Sequence, residues 1–258
     1  MTHSNIKTHG ICNLTVTPLR ANADDASEIV SQLLFGDYVE VLEVNVPWIK
    51  IKNYQDDYEG WMDFKQLHYI DEKTYQEGIN TNHFTVKQPL LLVDGALGIQ
   101  TVLLGSTLPF LVDKSFKIGT DDYYVISEID THIQSPLAYA ELYLNTPYLW
   151  GGKSMFGIDC SALIQNCFKI IGVDLPRDAS QQVLKGKDVK WEERQTGDLV
   201  FFKSKSGKVT HVGLLVDEHQ IIHAHGRVRI DKIDERGIWN NELNWYSHLT
   251  FCTKRIEK

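Results

Sequence analysis

Gly157-Ile158-Asp159-Cys160-Ser161 stands directly ahead of an apolar run that ends near Gly172. Asp159 is a natural N-cap, and Ala162, Leu163, Cys167, Phe168 and Ile171 follow at three- and four-residue spacing, with Gly172 as the stop. The spacing predicts a helix that buries one face and presents Cys160 in its first turn. A thiol there meets the positive end of the helix dipole, which favours thiolate, the form that attacks carbonyls.

A nucleophilic cysteine needs a partner base, because the free thiol is only slightly ionised at neutral pH and acyl transfer must also protonate a leaving amine. Val209 to Val216 reads as a buried strand, Asp217 to His219 as a polar turn, and Gln220 to His225 as a second strand. Histidines therefore stand on both arms of a hairpin. A turn centred near Asp217 sets His211 opposite His223, and a turn centred near Glu218 sets it opposite His225. Spacing alone does not choose between them.

Five motifs occur in order: Tyr148-Leu149-Trp150-Gly151-Gly152, Asp159-Cys160-Ser161, Gly197-Asp198-Leu199-Val200-Phe201-Phe202, His211-Val212-Gly213 and Ile222-His223-Ala224. Together they resemble the NlpC-type papain-like cell-wall cysteine peptidases, over roughly the last half of the chain. The resemblance implies a triad of Cys160 as nucleophile, His211 as general base and acid, and His223 as the residue that orients the His211 ring. It favours His223 over His225. It also implies that Tyr148 contributes to the oxyanion site with the Cys160 backbone N–H; Trp150 reads as a core or cleft-wall aromatic. Arg177-Asp178, after Pro176, resembles the family's Pro-Arg-Asp segment. Arg177 then either holds a substrate carboxylate through a bidentate contact or forms a structural ion pair.

The remaining cysteines, Cys12, Cys167 and Cys252, read as small buried apolar groups, and His219, His225 and His248 as partly buried structural histidines. Trp191 reads as a core or cleft-wall aromatic. The His and Cys positions lack the paired spacing of a zinc hydrolase, and the chemistry expected here requires neither metal nor cofactor.

With 258 residues, 43% of them hydrophobic, the chain is long enough for two or three modest domains. A formal net charge of −8 argues against nucleic acid or an anionic membrane surface as the main partner and fits a small soluble substrate. Met1 to Cys12 contains His3, Ser4, Asn5, Lys7, His9 and Gly10 and no continuous apolar segment, so a signal sequence is not expected. The four cysteines are sparse and lack CxxC spacing, and Cys160 and Cys167 would stand two helical turns, ~10 Å, apart. These features point to a reducing cytoplasm.

The first half has a different texture. Leu14 to Pro18, Val39 to Val46, Trp48 to Ile51 and Gly60 to Met62 read as short strands between turns. This segment resembles the bacterial SH3-like domains found beside such peptidases, through Pro18-Leu19-Arg20, Leu34-Phe35-Gly36-Asp37 and Tyr58-Glu59-Gly60-Trp61. A weaker copy runs through Leu90 to Val93, Gln100 to Leu104, Phe110 to Val112, Phe116 to Ile118 and Tyr123 to Ile126. The expected class is α+β: an SH3-like barrel over 1–70, a polar linker over 71–82, a second SH3-like barrel over 83–130, and a papain-like peptidase domain over 131–258, opened by helical sequence from Thr131 to Leu144.

The resemblance in both halves implies an endopeptidase that cuts murein-derived peptides between γ-D-glutamate and a diamino acid, with the first barrel restricting the cleft to a free amino terminus. An ammonium taken out of water requires carboxylate or hydroxyl partners. Asp159 and Ser161 are the candidates beside the nucleophile, with Tyr58 and Glu28 from the barrel completing the set. Asp159 then serves as helix cap and substrate ligand through separate oxygens. The alternatives are an endopeptidase or amidase acting on intact peptidoglycan, and a non-catalytic murein-binding protein.

Overall fold

The computed structural model describes residues 8–132 and 134–257. Residues 1–7, which contribute His3, Ser4, Asn5 and Lys7 to the argument against a signal sequence, lie outside the described residues. The chain forms two compact units, Met1–His132 with Trp150–Ser154, and Ile133–Leu149 with Met155–Lys258.

Unit 1 opens with β1 (His9–Ile11), β2 (Val16–Arg20), β3 (Ile29–Leu34), β4 (Tyr38–Asn45), β5 (Trp48–Asn53), β6 (Glu59–Asp63) and β7 (His68–Ile70). They form one antiparallel sheet in the order β3-β2-β6-β5-β4-β1-β7. The two-residue period of Trp48-Ile49-Lys50-Ile51-Lys52-Asn53 explains why such segments become strands: Ile49 and Ile51 turn inward, and the lysines between them stay partly exposed. Cys12, Leu19, Leu33, Val39 and Met62 complete this core.

The polar stretch expected to be a linker is instead a helix. Asp71 caps α1 (Glu72–Ile79) by accepting the Thr74 N–H, and Tyr75 and Gly78 are buried. Polarity misleads here because one buried aromatic is enough to dock a short helix. Beyond it lie β8 (Phe84–Thr85), β9 (Leu90–Gly95), β10 (Gly98–Leu103), β11 (Thr107–Leu108), β12 (Ser115–Ile118) and β13 (Asp121–Val125). Four of these form a sheet in the order β10-β9-β13-β12, and β11 pairs with β8. Phe110–Val112, read from sequence as a strand, is not one: Phe110 has φ 53°, in the left-handed region that breaks a strand.

These strands do not enclose a separate core. Phe35, Tyr38, Ile70 and Tyr75 share one apolar cluster with Val86, Leu91, Val102, Phe116 and Tyr123. The Phe35 ring meets Phe116 and Tyr123 edge-on, at 6.0 and 5.8 Å between centroids. Gly36 makes the close approach feasible: its φ is +84°, and a Cβ there would lie 2.0 Å from the Thr107 carbonyl oxygen. Segments this short bury too little surface alone, and a common core resolves that shortage. A late stretch of chain also belongs to this unit. In β14 (Lys153–Ser154) the Lys153 N–H donates to Gln32 Oε1 at 2.8 Å, and its buried ammonium lies 3.7 Å from Asp56 Oδ2.

Unit 2 contains α2 (Pro136–Glu141), β15 (Gly157–Ile158), α3 (Cys160–Ile170), α4 (Ala179–Gln182), β16 (Lys187–Val189), β17 (Leu199–Lys203), β18 (Val209–Leu215), β19 (Gln220–His225), β20 (Arg227–Asp234), β21 (Gly237–Asn240) and β22 (Trp245–Arg255). The sheet order is β16-β22-β17-β18-β19-β20-β21, and β21 also pairs with β22, so six strands close on themselves. Strands dominate both units, with four α-helices among the described residues, so α+β describes the chain only loosely. The core inside the closed sheet is Val200, Phe202, Leu215, Ile221, Ile233 and Ile238. Asp198, in the third sequence motif, is buried and takes Arg255 in a two-pronged ion pair (2.7 and 2.8 Å), which fixes β17 beside β22.

Truncation of Phe35 tests the shared core. Phe35→Ala is expected to lower unfolding stability by about 3–5 kcal/mol, with the near-UV signals of Tyr75 and Tyr123 lost in one transition. Two transitions separated along a denaturant titration would show independent cores.

Candidate active site

Helix α3 begins and ends where its sequence predicts. Asp159 Oδ1 accepts the Ala162 N–H at 2.8 Å, and Gly172, at φ +82°, follows the last turn. The helix is buried more completely than a one-faced pattern implies: of its residues only Lys169 escapes burial. The amide N–H groups of its buried polar side chains find internal acceptors, Gln165 donating to the Leu175 carbonyl (2.9 Å) and Asn166 to the Tyr143 hydroxyl (3.1 Å).

This burial changes the state of the nucleophile. Desolvation, followed by the neighbouring Asp159 carboxylate, pushes the Cys160 pKa up to about 12; the backbone N–H groups of Val212 and Ser161 and the Arg177 guanidinium pull the other way without prevailing. The dipole argument from sequence anticipates a thiolate; burial opposes it and favours the neutral thiol. The Val212 hydrogen bond places the sulfur against β18, at the residue that follows His211.

On β18, His211 is buried, and its Nε2 lies 2.9 Å from His223 Nδ1 on β19. The register between these strands pairs Leu214 with Ile222 and Leu215 with Ile221. Continued, it sets Gly213 opposite His223 and His211 opposite His225, the arrangement of a turn centred on Glu218. His223 nevertheless reaches His211, along the diagonal. Gly213 leaves room for this: a Cβ at that position would lie 3.1 Å from the His223 Cβ.

The chain of contacts continues to a residue that sequence reading missed. His223 Nε2 lies 3.1 Å from Asp231 Oδ2 on β20, and Arg229 Nε lies 2.9 Å from the same oxygen. Asp231 is buried; its desolvation is outweighed by His223 and Arg229, which hold its pKa below the carboxylate range. An ionised carboxylate can only accept, so His223 carries its proton on Nε2 and offers a lone pair at Nδ1. His211 must then donate from Nε2, which leaves its Nδ1 lone pair as the basic atom. Burial, reinforced by His248, His223 and His225, drives the His211 pKa well down, so the imidazole is neutral at rest.

The other expected residues are distributed as follows. Arg177 is buried and grips Asp159 with Nη1 and Nη2 (3.0 and 2.6 Å), while Nη1 also donates to Ser161 Oγ at 3.0 Å. Ser161 Oγ in turn donates to Asp159 Oδ1 at 3.1 Å. Of the two readings of Arg177, the structure contains the ion pair. Asp178 is the N-cap position of α4. Tyr148 is half-buried, bridged to Ile158, and burial beside Cys160 and Asp159 lifts its phenol to about 12, so it remains an O–H donor. Glu28, Tyr58 and Trp150 belong to unit 1, where the exposed Trp150 Nε1–H donates to Glu28 and the Tyr58 N–H donates to Asp56. His248, read as structural, lies with its ring stacked on His211 at 4.0 Å. Among the described residues, His211, His223 and His248 form the one group of such side chains able to hold a metal ion.

A resting thiol makes a direct prediction. Alkylation of Cys160 by iodoacetamide, followed by peptide mass mapping, is expected to accelerate continuously from pH 7 to 10, because a raised pKa keeps the sulfur protonated through that window. A plateau already reached at pH 7 would contradict it.

The chain is similar to known proteins over both of its halves. Residues 145–246 match the NlpC/P60 family, and residues 19–67 match the bacterial dipeptidyl-peptidase Sh3 domain. The chain is 31% identical over 219 residues to the γ-D-glutamyl-L-lysine dipeptidyl-peptidase of Bacillus subtilis (strain 168), covering 76% of this chain and 72% of that protein. It is 28% identical to the protein of the same name from Bacillus cereus, over 78% of this chain and 68% of that one. The crystal structure of an NlpC/P60 family protein from Bacillus cereus superposes with a TM-score of 0.79 at 20% identity, covering 96% of this chain and 99% of that one. The buried cysteine at a helix start, the histidine strand beside it and the SH3-like domain ahead of them thus belong to a cysteine peptidase of the NlpC/P60 family.

Proposed function

We propose that this peptidase hydrolyses the bond between γ-D-glutamate and a diamino acid in short murein-derived peptides that carry a free N-terminal L-Ala, as a cytoplasmic enzyme of cell-wall peptide recycling. The observation that carries the reading is the hydrogen-bonded series His211–His223–Asp231 beside a buried Cys160. The names of the Bacillus relatives support the substrate class. Asp159 and Ser161 flank the nucleophile, and their oxygens, ordered by Arg177, are the acceptors that an ammonium requires. Cys12, Cys160, Cys167 and Cys252 are all free thiols, which supports a reducing compartment. No helix among the described residues is long and apolar enough to cross a membrane. We also read residues 83–130 as a second SH3-like module, one that shares its core with the first.

Catalysis begins from a neutral thiol and a neutral imidazole. As the Cys160 sulfur attacks the γ-carbonyl carbon, its proton passes to His211 Nδ1, and the Cys160 N–H and Tyr148 hydroxyl stabilise the oxyanion. The imidazolium is held by His223 and, through it, by Asp231. It returns its proton to the departing diamino-acid amine, and the acyl-enzyme forms. His211 then removes a proton from water, which attacks the acyl carbon and releases the γ-D-glutamyl product and the thiol.

The test is hydrolysis of L-Ala-γ-D-Glu-diamino-acid peptide and of its N-acetylated counterpart, with products weighed by mass spectrometry. Cleavage of the free peptide at the γ-glutamyl bond, with loss of at least tenfold in kcat/KM on acetylation and of all turnover in Cys160→Ala, is expected. Equal turnover of both peptides removes the amino-terminal requirement. Release of fragments from intact sacculi moves the enzyme to the whole wall.

Asp231 provides a second test. Asp231→Asn lets either tautomer of His223 persist, so kcat is expected to fall about tenfold or more with KM little changed, by analogy with the wrong-tautomer effect in acyl transfer. The pH–rate profile should change shape as well. A parallel loss of stability and activity with an unaltered profile would make Asp231 merely structural.

A further inference from the structure

The reaction described above uses His211 and His223 and leaves His248 without a task. His248 stacks on His211, with rings 22° apart, and meets His223 edge-on at 5.8 Å. One ring nitrogen from each of the three lies within 4.8 Å of the others. Imidazole nitrogens around a tetrahedral zinc stand about 3.3 Å apart, given Zn–N bonds of about 2.0–2.1 Å. The His211–His223 pair, at 2.9 Å, is already near that spacing.

Two of the three rings are also anchored from behind, as metal-bound imidazoles are. His223 Nε2 rests on Asp231, and His248 Nδ1 lies 2.9 Å from Ser247 Oγ, which leaves His248 Nε2 for a ligand.

We propose that His211, His223 and His248 form an inhibitory binding site for a borderline transition-metal dication such as Zn²⁺. Coordination breaks the His211–His223 hydrogen bond: His211 Nε2 gives up its proton and binds the ion, and that proton is taken up at Nδ1. The ring remains neutral overall. An N–H now occupies the position whose lone pair would accept the Cys160 proton, and attack stops. Only this inhibitory consequence rests on the base role proposed for His211; the binding does not.

The experiment pairs inhibition with spectroscopy. Zn²⁺ is titrated against peptidase activity in the wild type and in His248→Phe, which keeps the ring stack without a ligand nitrogen, each rate being expressed relative to its own metal-free value. His248→Phe is expected to need at least tenfold more Zn²⁺ for half-inhibition. His248→Gln provides a second variant, and melting curves without metal verify that each is folded. Co²⁺ bound to Cys160→Ala is expected to give visible d–d absorption without a thiolate charge-transfer band, and His248→Phe should weaken that binding at least tenfold. Equal Zn²⁺ sensitivity in the His248 variants, or loss of the cobalt spectrum in Cys160→Ala, overturns the site by placing the ion on the Cys160 thiol. Cobalt and zinc binding that depends on His248 yet leaves the rate intact overturns the base role of His211 instead.

Discussion

The ionised carboxylate of Asp231 sets the proton positions of this site. It is buried, it can only accept, and it touches His223 at one nitrogen. From that single constraint the tautomers follow in series: His223 protonated at Nε2, His211 protonated at Nε2, and a lone pair left at His211 Nδ1. Without a fixed acceptor at the end of the series, two neutral imidazoles could exchange donor and acceptor roles at little cost, and the base would be correct only part of the time. His223 and Arg229 together hold the carboxylate ionised where burial alone would raise its pKa.

The geometry that delivers this is oblique. On β19 and β20, Ile221 stands opposite Asp231 and His223 opposite Arg229, so the contact from His223 to Asp231 runs along a diagonal. The contact from His211 to His223 does the same between β18 and β19. That is why the sequence reveals part of the site and conceals the rest. Cys160 is legible because an N-cap, an apolar period and a terminal glycine define its helix. His211 and His223 are legible as histidines on two arms of a hairpin, but simple opposition at the true register would select His225. Asp231 sits in the alternating stretch Arg227-Val228-Arg229-Ile230-Asp231-Lys232, where a carboxylate looks like any residue on a solvated strand face. Its burial depends on the sheet closing through β21 and β22, which no local pattern announces. His248 escapes notice for the same reason.

In the first half, strand positions are legible from two-residue alternation, but the organisation of the core is not. A polar stretch from 71 to 82 reads as a linker until Tyr75 is found buried, and two barrel-like patterns read as two domains until Phe35 is found against Phe116 and Tyr123. Periodicity reports which face of a segment is apolar; it does not report which other segment covers that face.

Burial of α3 carries the argument one step further. A helix start at the surface would present its dipole to a solvated thiol and favour thiolate. Here the same helix is enclosed almost completely, and Cys160 and His211 are both pushed toward their neutral forms, the thiol's pKa upward and the imidazole's downward. In the mechanism we propose, the ion pair is therefore disfavoured at rest and forms as the sulfur attacks, when the negative charge moves onto an oxygen that backbone donors and the Tyr148 hydroxyl can meet. The enclosure that keeps the nucleophile quiet in the absence of substrate is also what gives those donors their strength, since a hydrogen bond to a developing charge is stronger where water is excluded.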